Sequence, residues 1–357
     1  GYAADLGVVT SLDVCDELGL SGLTISSDDN CLVITGKVSF EYDWGDYDPG
    51  TIYAGSPNNT TNNFTVLDPS TPLDSNHGDV DAWLKFVGTA DSDFGPATAT
   101  IKLISENNTG TKDWSVGIDE AWVGIGDTTM LMAGYKGSIF NSGDDVPLNY
   151  LGLFNSSSVN TGVGFNTDRA DTGGDVIQVV SNLGNGVSVG GGLEALGSPF
   201  GMLTGVGVLS YAGDGITAHI STAIGPDQKG VVPGWGWKVH AGFTGAWDPI
   251  KVVAAVAADE TGYWDALGSV AATFDMFTLA ASGEALNDGS WGVGGSVKAG
   301  ITDGVTLNLG GRYFSNTGVD EGTAAYTVYQ VEAGISAAVT ETITLTGAVG
   351  ATDSTVA

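Results

Sequence analysis

The sequence has 357 residues, of which 56 are glycine and only 15% are charged, and its mean hydropathy is slightly positive at +0.13. Its formal net charge of −31 excludes nucleic acid and anionic membrane surfaces as partners, because binding either requires clustered Lys and Arg. No run of about 18 or more apolar residues occurs, which excludes a membrane-spanning helix but leaves room for membrane-spanning strands of about 9 to 11 residues.

The N-terminal segment 1–31 contains the only two cysteines, Cys15 and Cys31. Joined, they would close a short loop, which fits an oxidising periplasm or cell surface. Two sulfur ligands without a nearby histidine do not form a zinc site. Because the first residues contain no charged n-region and no apolar h-region, we interpret the chain as mature and 1–31 as a periplasmic segment.

From residue 32 onward, stretches of about ten residues alternate apolar with polar or small side chains. The connections between these stretches are alternately short and long. This rhythm predicts an all-β, transmembrane, antiparallel up-and-down β-barrel over 32–357. Seventeen strands are predicted, near 32–44, 79–90, 96–106, 115–125, 128–136, 174–182, 186–195, 202–212, 215–224, 235–246, 250–259, 263–274, 277–286, 290–301, 304–314, 325–338 and 342–351. An odd count conflicts with the even number of strands in bacterial barrels. Either one assignment is wrong, or a strand at 6–12 is added, or the last strand is missing.

Segment 235–247 shows the two faces of a predicted strand most clearly. Its odd positions are mainly apolar and its even positions are small or polar, including Lys238 and His240. Trp237 and Trp247 would lie about 25 Å apart along a membrane normal, the separation of two aromatic girdles. The predicted girdle residues are Trp44, Trp235, Trp237, Trp247, Trp291 and Tyr313.

Basic residues on the polar faces are predicted to line a water-filled lumen, because a charge facing lipid at mid-bilayer costs about 2 to 4 kcal/mol. These pore-wall residues are Lys37, Lys85, Lys102, Lys136, Lys238, Lys298 and Arg312.

Segment 137–173 is the predicted constriction loop, since it is far longer than a hairpin needs and mixes charged with apolar residues. We expect its apolar residues to anchor it to the wall. Its charged residues should face the aperture opposite Lys37, Lys85 and Lys102, and they are Asp144, Asp145, Asp168, Arg169 and Asp171. The alternative is an external loop with solvated acids.

Asp43, Asp46 and Asp48 could bind a structural Ca²⁺ through their oxygens, although unbound surface acids are the alternative. No nucleophile or base stands at a recognisable spacing from His77, His219 or His240. We therefore predict no enzymatic activity and no other cofactor.

Several motifs resemble the alphaproteobacterial outer-membrane porin family. They are Val14-Cys15-Asp16-Glu17-Leu18-Gly19 followed by Asn30-Cys31-Leu32, then Glu120-Ala121-Trp122-Val123-Gly124-Ile125 with Gly134-Tyr135-Lys136-Gly137, and Asn182-Leu183-Gly184-Asn185-Gly186-Val187. The resemblance implies a barrel of about 16 strands, a homotrimer, a Cys15–Cys31 disulfide and passive transport. Arginine is almost absent, so lysines replace an arginine-rich wall, and the expected terminal Phe is not visible.

We therefore expect a general-diffusion porin, integral to a bacterial outer membrane, that passes small hydrophilic solutes and ions with a weak preference for cations. Its partners would be outer-membrane lipid and lipopolysaccharide, two further copies of the chain, and small polar solutes. A substrate-specific channel for sugars or another nutrient is the first alternative. A secreted acidic β-rich surface protein is the second, but it gives no reason for Trp237 and Trp247 to be one membrane thickness apart.

Overall fold

The structure is a computed structural model that describes residues 23–26, 30–45, 75–107, 115–149, 162–166, 170–197, 203–226, 234–316, 326–338 and 344–356. For residues 26, 40–45, 75–79, 106–107, 316, 326 and 344–356 it describes the backbone alone. No helix among these residues is long and apolar enough to cross a membrane.

The described residues form eighteen β-strands, and β2 to β18 are the seventeen predicted ones with ends shifted by at most five residues. The short β1 was not predicted. It makes the number of described strands even and larger than the sixteen that the resemblance implies. The strands are β1 (Leu23–Ser26), β2 (Asn30–Gly45), β3 (Ser75–Ala90), β4 (Ala97–Asn107), β5 (Gly117–Gly126), β6 (Thr129–Lys136), β7 (Gly174–Gly184), β8 (Val187–Glu194), β9 (Thr204–Gly213), β10 (Ile216–Pro226), β11 (Trp235–Trp247), β12 (Ile250–Asp259), β13 (Trp264–Phe274), β14 (Phe277–Leu286), β15 (Trp291–Thr302), β16 (Val305–Asn316), β17 (Tyr326–Ala338) and β18 (Thr344–Val356).

Consecutive strands pair antiparallel from β1 through to β18, which confirms the up-and-down order. Closure of this sheet into a barrel stays a prediction. The connections that follow β5, β7, β9, β11, β13 and β15 have two residues each, whereas those after even-numbered strands are longer and include 137–173. One rim of the sheet therefore carries tight turns, and the other carries the loops.

Backbone conformation explains two of the tight turns. Asn185 and Gly186 have φ angles of 52° and 80°, and Asp214 and Gly215 have 53° and 76°. Positive φ at both central residues matches the right-handed twist of a two-residue hairpin, and Asn, Asp and Gly tolerate it.

The sheet has two chemically different faces. On β11, Trp237 and Trp247 are 42% and 47% exposed, whereas His240 between them is 0% exposed. Cross-strand register carries the face of His240 through Ala257 of β12 to Asp265 of β13, which is also 0% exposed. We call this the inner face and the apolar face of Trp237 the outer face. The predicted two-sided sheet is therefore observed.

Candidate pore constriction

The connection 137–173 lies against the inner face. Its described parts are 137–149, 162–166 and 170–173, and they contact inner-face side chains from β7 to β13. An extended loop has backbone N–H groups that no ladder satisfies, so the wall must provide their acceptors.

Glu194, the last residue of β8, binds both ends of the loop. Its carboxylate is 0% exposed and accepts hydrogen bonds from the backbone N–H groups of Ile139 at 3.0 Å and Gly173 at 2.6 Å. The side-chain amide of Gln178 donates to this carboxylate at 2.8 Å and to the Gly137 carbonyl at 3.0 Å. One buried charge therefore closes the base of the loop against the wall.

Two wall hydroxyls accept hydrogen bonds from the middle of the loop. The backbone N–H of Asn141 donates to Ser221 Oγ on β10 at 3.0 Å, and that of Leu148 donates to Ser269 Oγ on β13 at 2.8 Å. Since serine provides a short side chain with an acceptor, the loop backbone runs close to the sheet at both points.

Two wall carboxylates bind the returning part of the loop at the long-loop rim. Asp265 accepts from the backbone N–H of Gly164 at 3.0 Å, and Asp259 accepts from that of Asn166 at 2.7 Å. Hydrogen bonds to charged acceptors are roughly twice as strong as neutral ones. The loop is thus attached to β7, β8, β10, β12 and β13 by its backbone.

A chain of four ionisable side chains joins the loop to β10 and β11. Asp144 Oδ2 lies 3.3 Å from His219 Nδ1, and His219 Nε2 lies 2.9 Å from His240 Nδ1. The two rings are parallel within 3°, with centroids 5.1 Å apart. His240 Nε2 lies 3.7 Å from Asp145 Oδ2, and the Thr217 hydroxyl donates to Asp144. Polar side chains of the wall therefore lie beside both aspartates of the loop.

The surroundings of Asp144 lower the pKa of its carboxyl group. Burial by itself raises the pKa of its carboxyl group, but hydrogen bonds from Thr217, Thr244 and His219 outweigh burial and hold the pKa below its ordinary value. Asp144 is therefore a charged acceptor at neutral pH.

Close approach of loop and wall depends on Gly242 of β11. A Cβ atom at this position would lie 2.5 Å from the carbonyl oxygen of Gly143 and 2.9 Å from the Cβ of Asp144. Only glycine leaves the space that the bend of the loop occupies.

Aromatic rings of the loop pack over the wall next to these anchors. The rings of Phe140 and Phe165 meet edge to face with centroids 6.0 Å apart, and Phe165 lies 6.3 Å from the His240 ring. The ammonium group of Lys238 lies 5.4 Å and 5.8 Å from the centroids of Phe140 and Phe165. Apolar contacts of Phe140 and Phe165 thus anchor the loop, and the two rings cover Lys238.

The orientation of the loop acids differs from the predicted one. Asp145 is 7% exposed and Asp144 binds Thr217 and His219, so both acids face the wall, whereas apolar Val146 is 62% exposed. The imidazoles and hydroxyls of β10 and β11 give the acids buried partners that open water would not. Asp171 is partly exposed, and Asp168 and Arg169 lie outside the described residues.

A charged patch lies on the inner faces of β3 to β5. Lys85 pairs with Glu120 at 3.1 Å and Lys102 with Asp119 at 2.5 Å. A register shift after Lys102 leaves Asp119 as an extra residue, and this β-bulge lets two consecutive acids serve the same face. Lys85 and Lys102 are therefore neutralised by acids of their own wall, whereas the prediction placed the loop acids opposite them across the aperture.

Two tryptophans belong to this patch. The ammonium group of Lys102 lies 5.6 Å from the ring centroid of Trp83, and that of Lys136 lies 5.4 Å from that of Trp122. The indole N–H of Trp122 donates to Glu120 at 3.1 Å. Aromatic faces and fixed charges thus alternate along this part of the wall.

The remaining predicted pore-wall residues share the inner face but differ in exposure. Lys37, opposite Trp83 in the register, is exposed, and Lys298 is partly buried. Arg312 is 5% exposed, and its Nε donates to Gln330 on β17. Arg312 therefore contributes to the packing of the wall rather than to an open surface.

Large aromatic side chains cluster on the outer face near both rims. Trp235 and Trp291 are 64% and 43% exposed, and Tyr313 packs against Trp291 with ring centroids 5.0 Å apart. The side chain of Trp44 is outside the described ones. Three further exposed aromatic residues were not among the predicted girdle residues, although the alternation of β13 and β14 could have identified them. They are Trp264, Phe274 and Phe277.

Three predictions near the N-terminus fall largely on undescribed residues. Cys31 is 1% exposed and is not a free thiol, but Cys15 lies outside the described residues, so their pairing stays a prediction. The periplasmic segment 1–31 also stays a prediction, since most of it is undescribed. The Ca²⁺ site stays a prediction because Asp46 and Asp48 are undescribed and Asp43 is described by its backbone alone. Elsewhere in the described structure, no group of three or more His, Cys, Asp or Glu side chains is placed to hold a metal ion.

Sequence reasoning missed the wall residues that attach the loop. They are Glu194, His219, Ser221, His240, Asp259, Asp265 and Ser269. Most stand at polar positions of alternating strands, but alternation cannot reveal which of them a loop 21 or more residues away in the chain will contact.

A continuous antiparallel sheet with one apolar face, one polar face and a long loop on the polar face defines a class of outer-membrane channel proteins. A family model described as "Porin subfamily" matches residues 8–354, and the chain therefore belongs to this porin family. Among curated protein sequences, none matches this chain significantly.

Solved structures of other bacterial proteins are similar to this chain. OccAB4 of Acinetobacter baumannii aligns with a TM-score of 0.50 at 8% identity, covering 92% of this chain and 94% of that one. An anion-selective porin of Comamonas acidovorans aligns with a TM-score of 0.49 at 12% identity, covering 81% and 90%. A loop-deletion mutant of OmpT, an outer-membrane protein of Vibrio cholerae, aligns with a TM-score of 0.47 at 10% identity, covering 92% and 95%. At such identities the similarity to OccAB4 concerns the fold alone.

Proposed function

We propose that the protein is a general-diffusion channel of a bacterial outer membrane. Its sheet closes into a barrel around a water-filled lumen, and loop 137–173 narrows that lumen. The attachment of this loop to inner-face side chains of seven strands, from Gln178 on β7 to Ser269 on β13, is the observation that carries the proposal. A loop held inside a two-faced sheet reduces the aperture without blocking it, which limits the size of solutes that pass.

A weak preference for cations follows from charge. The formal net charge is −31, and the wall lysines Lys85 and Lys102 are neutralised by Glu120 and Asp119. A lumen with few unpaired cationic groups and an acidic protein around it concentrates cations near its mouths. Because Asp144 and Asp145 bind the wall, a strong transverse field between loop and lysines is not part of the proposal.

Assembly and location complete the proposal. The outer face would contact lipid and lipopolysaccharide, and three copies would associate into a trimer. The exposed apolar side chains of the outer face, such as Leu309 at 61%, support contact with hydrocarbon.

A recording in a planar lipid bilayer tests the channel. Purified protein should insert in steps of three equal conductances, and a KCl gradient should give a reversal potential that favours K⁺ over Cl⁻. Silent protein contradicts the channel, and a preference for Cl⁻ contradicts the selectivity.

A substrate-specific channel is the second candidate, favoured by Trp83 and Trp122 on the inner face beside charged groups. Indole rings flanked by polar groups can stack on sugar rings. Liposome swelling with neutral sugars of increasing size distinguishes the two. A diffusion channel gives rates that fall smoothly with size, whereas a specific channel favours one sugar over smaller ones.

A further inference from the structure

The indole of Trp122 lies along the inner face of the sheet, where it is partly exposed. A Cβ atom at Gly124, the next inner-face residue of β5, would lie 3.1 Å from Cζ3 of the ring, and one at Gly134, opposite Trp122 on β6, would lie 3.0 Å from the Trp122 Cβ. Glycine at both positions leaves the room that the side chain occupies. The indole N–H donates to Glu120 at 3.1 Å, which fixes the orientation of the ring. The wall therefore presents a fixed aromatic surface to the inner side.

Lys136 differs from the neighbouring Lys85 in the kind of partner it has. Lys85 is bound by the carboxylate of Glu120 at 3.1 Å, whereas the ammonium group of Lys136 lies 5.4 Å from the centroid of the Trp122 ring. In the described part of the chain, the partner of Lys136 is this ring and not a carboxylate. A cation beside an exposed ring is held more weakly than a cation hydrogen-bonded to a carboxylate. Lys136 can therefore exchange the ring for the carboxylate of a solute.

The polar groups at the edge of the indole suit a solute with hydroxyl groups. Glu120 and Lys85 are joined there, and their side chains are 24% and 31% exposed. Sugar hydroxyls donate to a carboxylate and accept from an ammonium group, so this pair can bind them in both ways. Lys85 neutralises Glu120, and Lys102 neutralises Asp119. A solute carboxylate that approaches Lys136 therefore meets no unpaired charge on these two acids.

We infer that Trp122, Lys136 and Glu120 form a weak binding site for a sugar ring that carries a carboxylate, that is, a uronate. The pyranose ring stacks on the indole as Lys136 moves aside, and the solute carboxylate accepts a hydrogen bond from the Lys136 ammonium group. Hydroxyl groups of the ring donate to Glu120. The inference rests on the proposed channel function, and it adds to the channel a site that retains one class of solute during passage.

The other inner-face indole, Trp83, is less suited to such a solute. The ammonium group beside its ring is that of Lys102, 5.6 Å from the centroid, and this group is already bound by Asp119. A solute carboxylate would have to displace that acid. Trp83 therefore provides a comparison for Trp122.

Saturation-transfer NMR on the purified protein in detergent tests the site without requiring conduction. Three probes differ in single features: glucuronate has a ring and a carboxylate, glucose lacks the carboxylate, and gluconate lacks the ring. Glucuronate should bind about tenfold more tightly than either, the effect of one hydrogen bond to a charged group or of one stacked ring. Benzoate, which has a ring and a carboxylate but no hydroxyl groups, should also bind more weakly than glucuronate.

Variants assign the binding to particular side chains. Lys136→Gln and Trp122→Leu should each weaken glucuronate binding about tenfold, whereas Lys136→Arg, which keeps the charge, should retain it. The matched control Lys251→Gln removes an exposed lysine from the inner face of β12 and should bind glucuronate like the unaltered protein. Circular dichroism checks that each variant keeps its β-sheet. In planar bilayers, glucuronate should reduce the KCl current of the unaltered protein more than that of Lys136→Gln.

Equal binding of glucuronate and either glucose or gluconate overturns the inference, and so does unchanged glucuronate binding in Lys136→Gln or Trp122→Leu. Loss of binding in Trp83→Leu alone also overturns it. Benzoate that binds as tightly as glucuronate overturns the assignment to sugars. Silent bilayers with a protein that binds glucuronate contradict the proposed channel but not the site, whereas conduction without glucuronate binding contradicts only this inference.

Discussion

The buried carboxylate of Glu194 accepts a 2.6 Å hydrogen bond from the backbone N–H of Gly173, a residue whose φ angle is +80°. This left-handed backbone conformation, which glycine adopts without strain, is part of the geometry that directs the N–H group at the acid. The position of the loop end thus depends on Gly173, which directly precedes β7, and on the carboxylate of Glu194, which ends β8.

Replacing Glu194 by glutamine should loosen the base of the loop. The amide offers one acceptor oxygen and turns an NH₂ group toward donors at Ile139 or Gly173, so about 1 to 3 kcal/mol of local stabilisation is lost. Single-channel records of Glu194→Gln should show frequent brief closures that the unaltered protein lacks. The control Asp303→Asn, a carboxylate-to-amide change on the opposite rim, should record like the unaltered protein. Quiet channels in Glu194→Gln would show that this carboxylate does not hold the loop.

Asp144 should stabilise the protein fully above about pH 4 and progressively less in stronger acid. Its folded pKa lies below the unfolded value of about 3.9, so its contribution is complete at neutral pH and is lost as the pH falls through the folded value. Asp144→Asn should therefore unfold at a lower temperature than the unaltered protein at pH 7, and this difference should shrink at pH 3.

The matched control for that measurement is Asp275→Asn. Asp275 also has a positive φ, at 52°, but is exposed on the short-turn rim. A deficit of Asp144→Asn that is as large at pH 3 as at pH 7 would mean that its charge is not the cause.

The paired charges on β3 to β5 should control ion selectivity. Asp119→Asn together with Glu120→Gln leaves Lys85 and Lys102 without their acids, at pairs that are now 3.1 Å and 2.5 Å apart. Two uncompensated positive charges on the wall should lower the permeability ratio of K⁺ to Cl⁻ by about two- to threefold at low salt, with less effect at 1 M KCl. Lys102→Gln should change the ratio in the opposite direction. Reversal potentials measure both, and equal values in all three proteins contradict the assignment of this patch to the ion path.

Adjacent residues of β16 test the assignment of the two faces. Leu309 is 61% exposed on the outer face, and Asn308 is its partly buried neighbour on the inner face. Leu309→Arg should reduce assembly in the outer membrane, since a charge in hydrocarbon costs about 2 to 4 kcal/mol, whereas Asn308→Arg should assemble normally. Outer-membrane fractions from expressing cells provide the measurement. Normal assembly of Leu309→Arg with loss of Asn308→Arg would reverse the two faces.

Strand positions could be predicted from the sequence because alternation is a local signal. Seventeen strands were placed within five residues of their ends, and turn residues such as Asn185 and Asp214 have the positive φ angles that their residue types indicate. The short β1 was missed because four residues, Leu23–Ser26, give too little alternation to detect.

The sequence by itself determined the two-faced sheet, the order of its strands and the segment that is too long to be a turn, since each of these depends on neighbours along the chain. Only the tertiary structure decided that Asp144 and Asp145 face the wall, that Lys85 and Lys102 are paired within their own wall, and that His219 meets His240. The reason is physical. A buried charge takes whichever partner the register and the bulges bring within about 3 Å, and those distances join residues far apart in the chain.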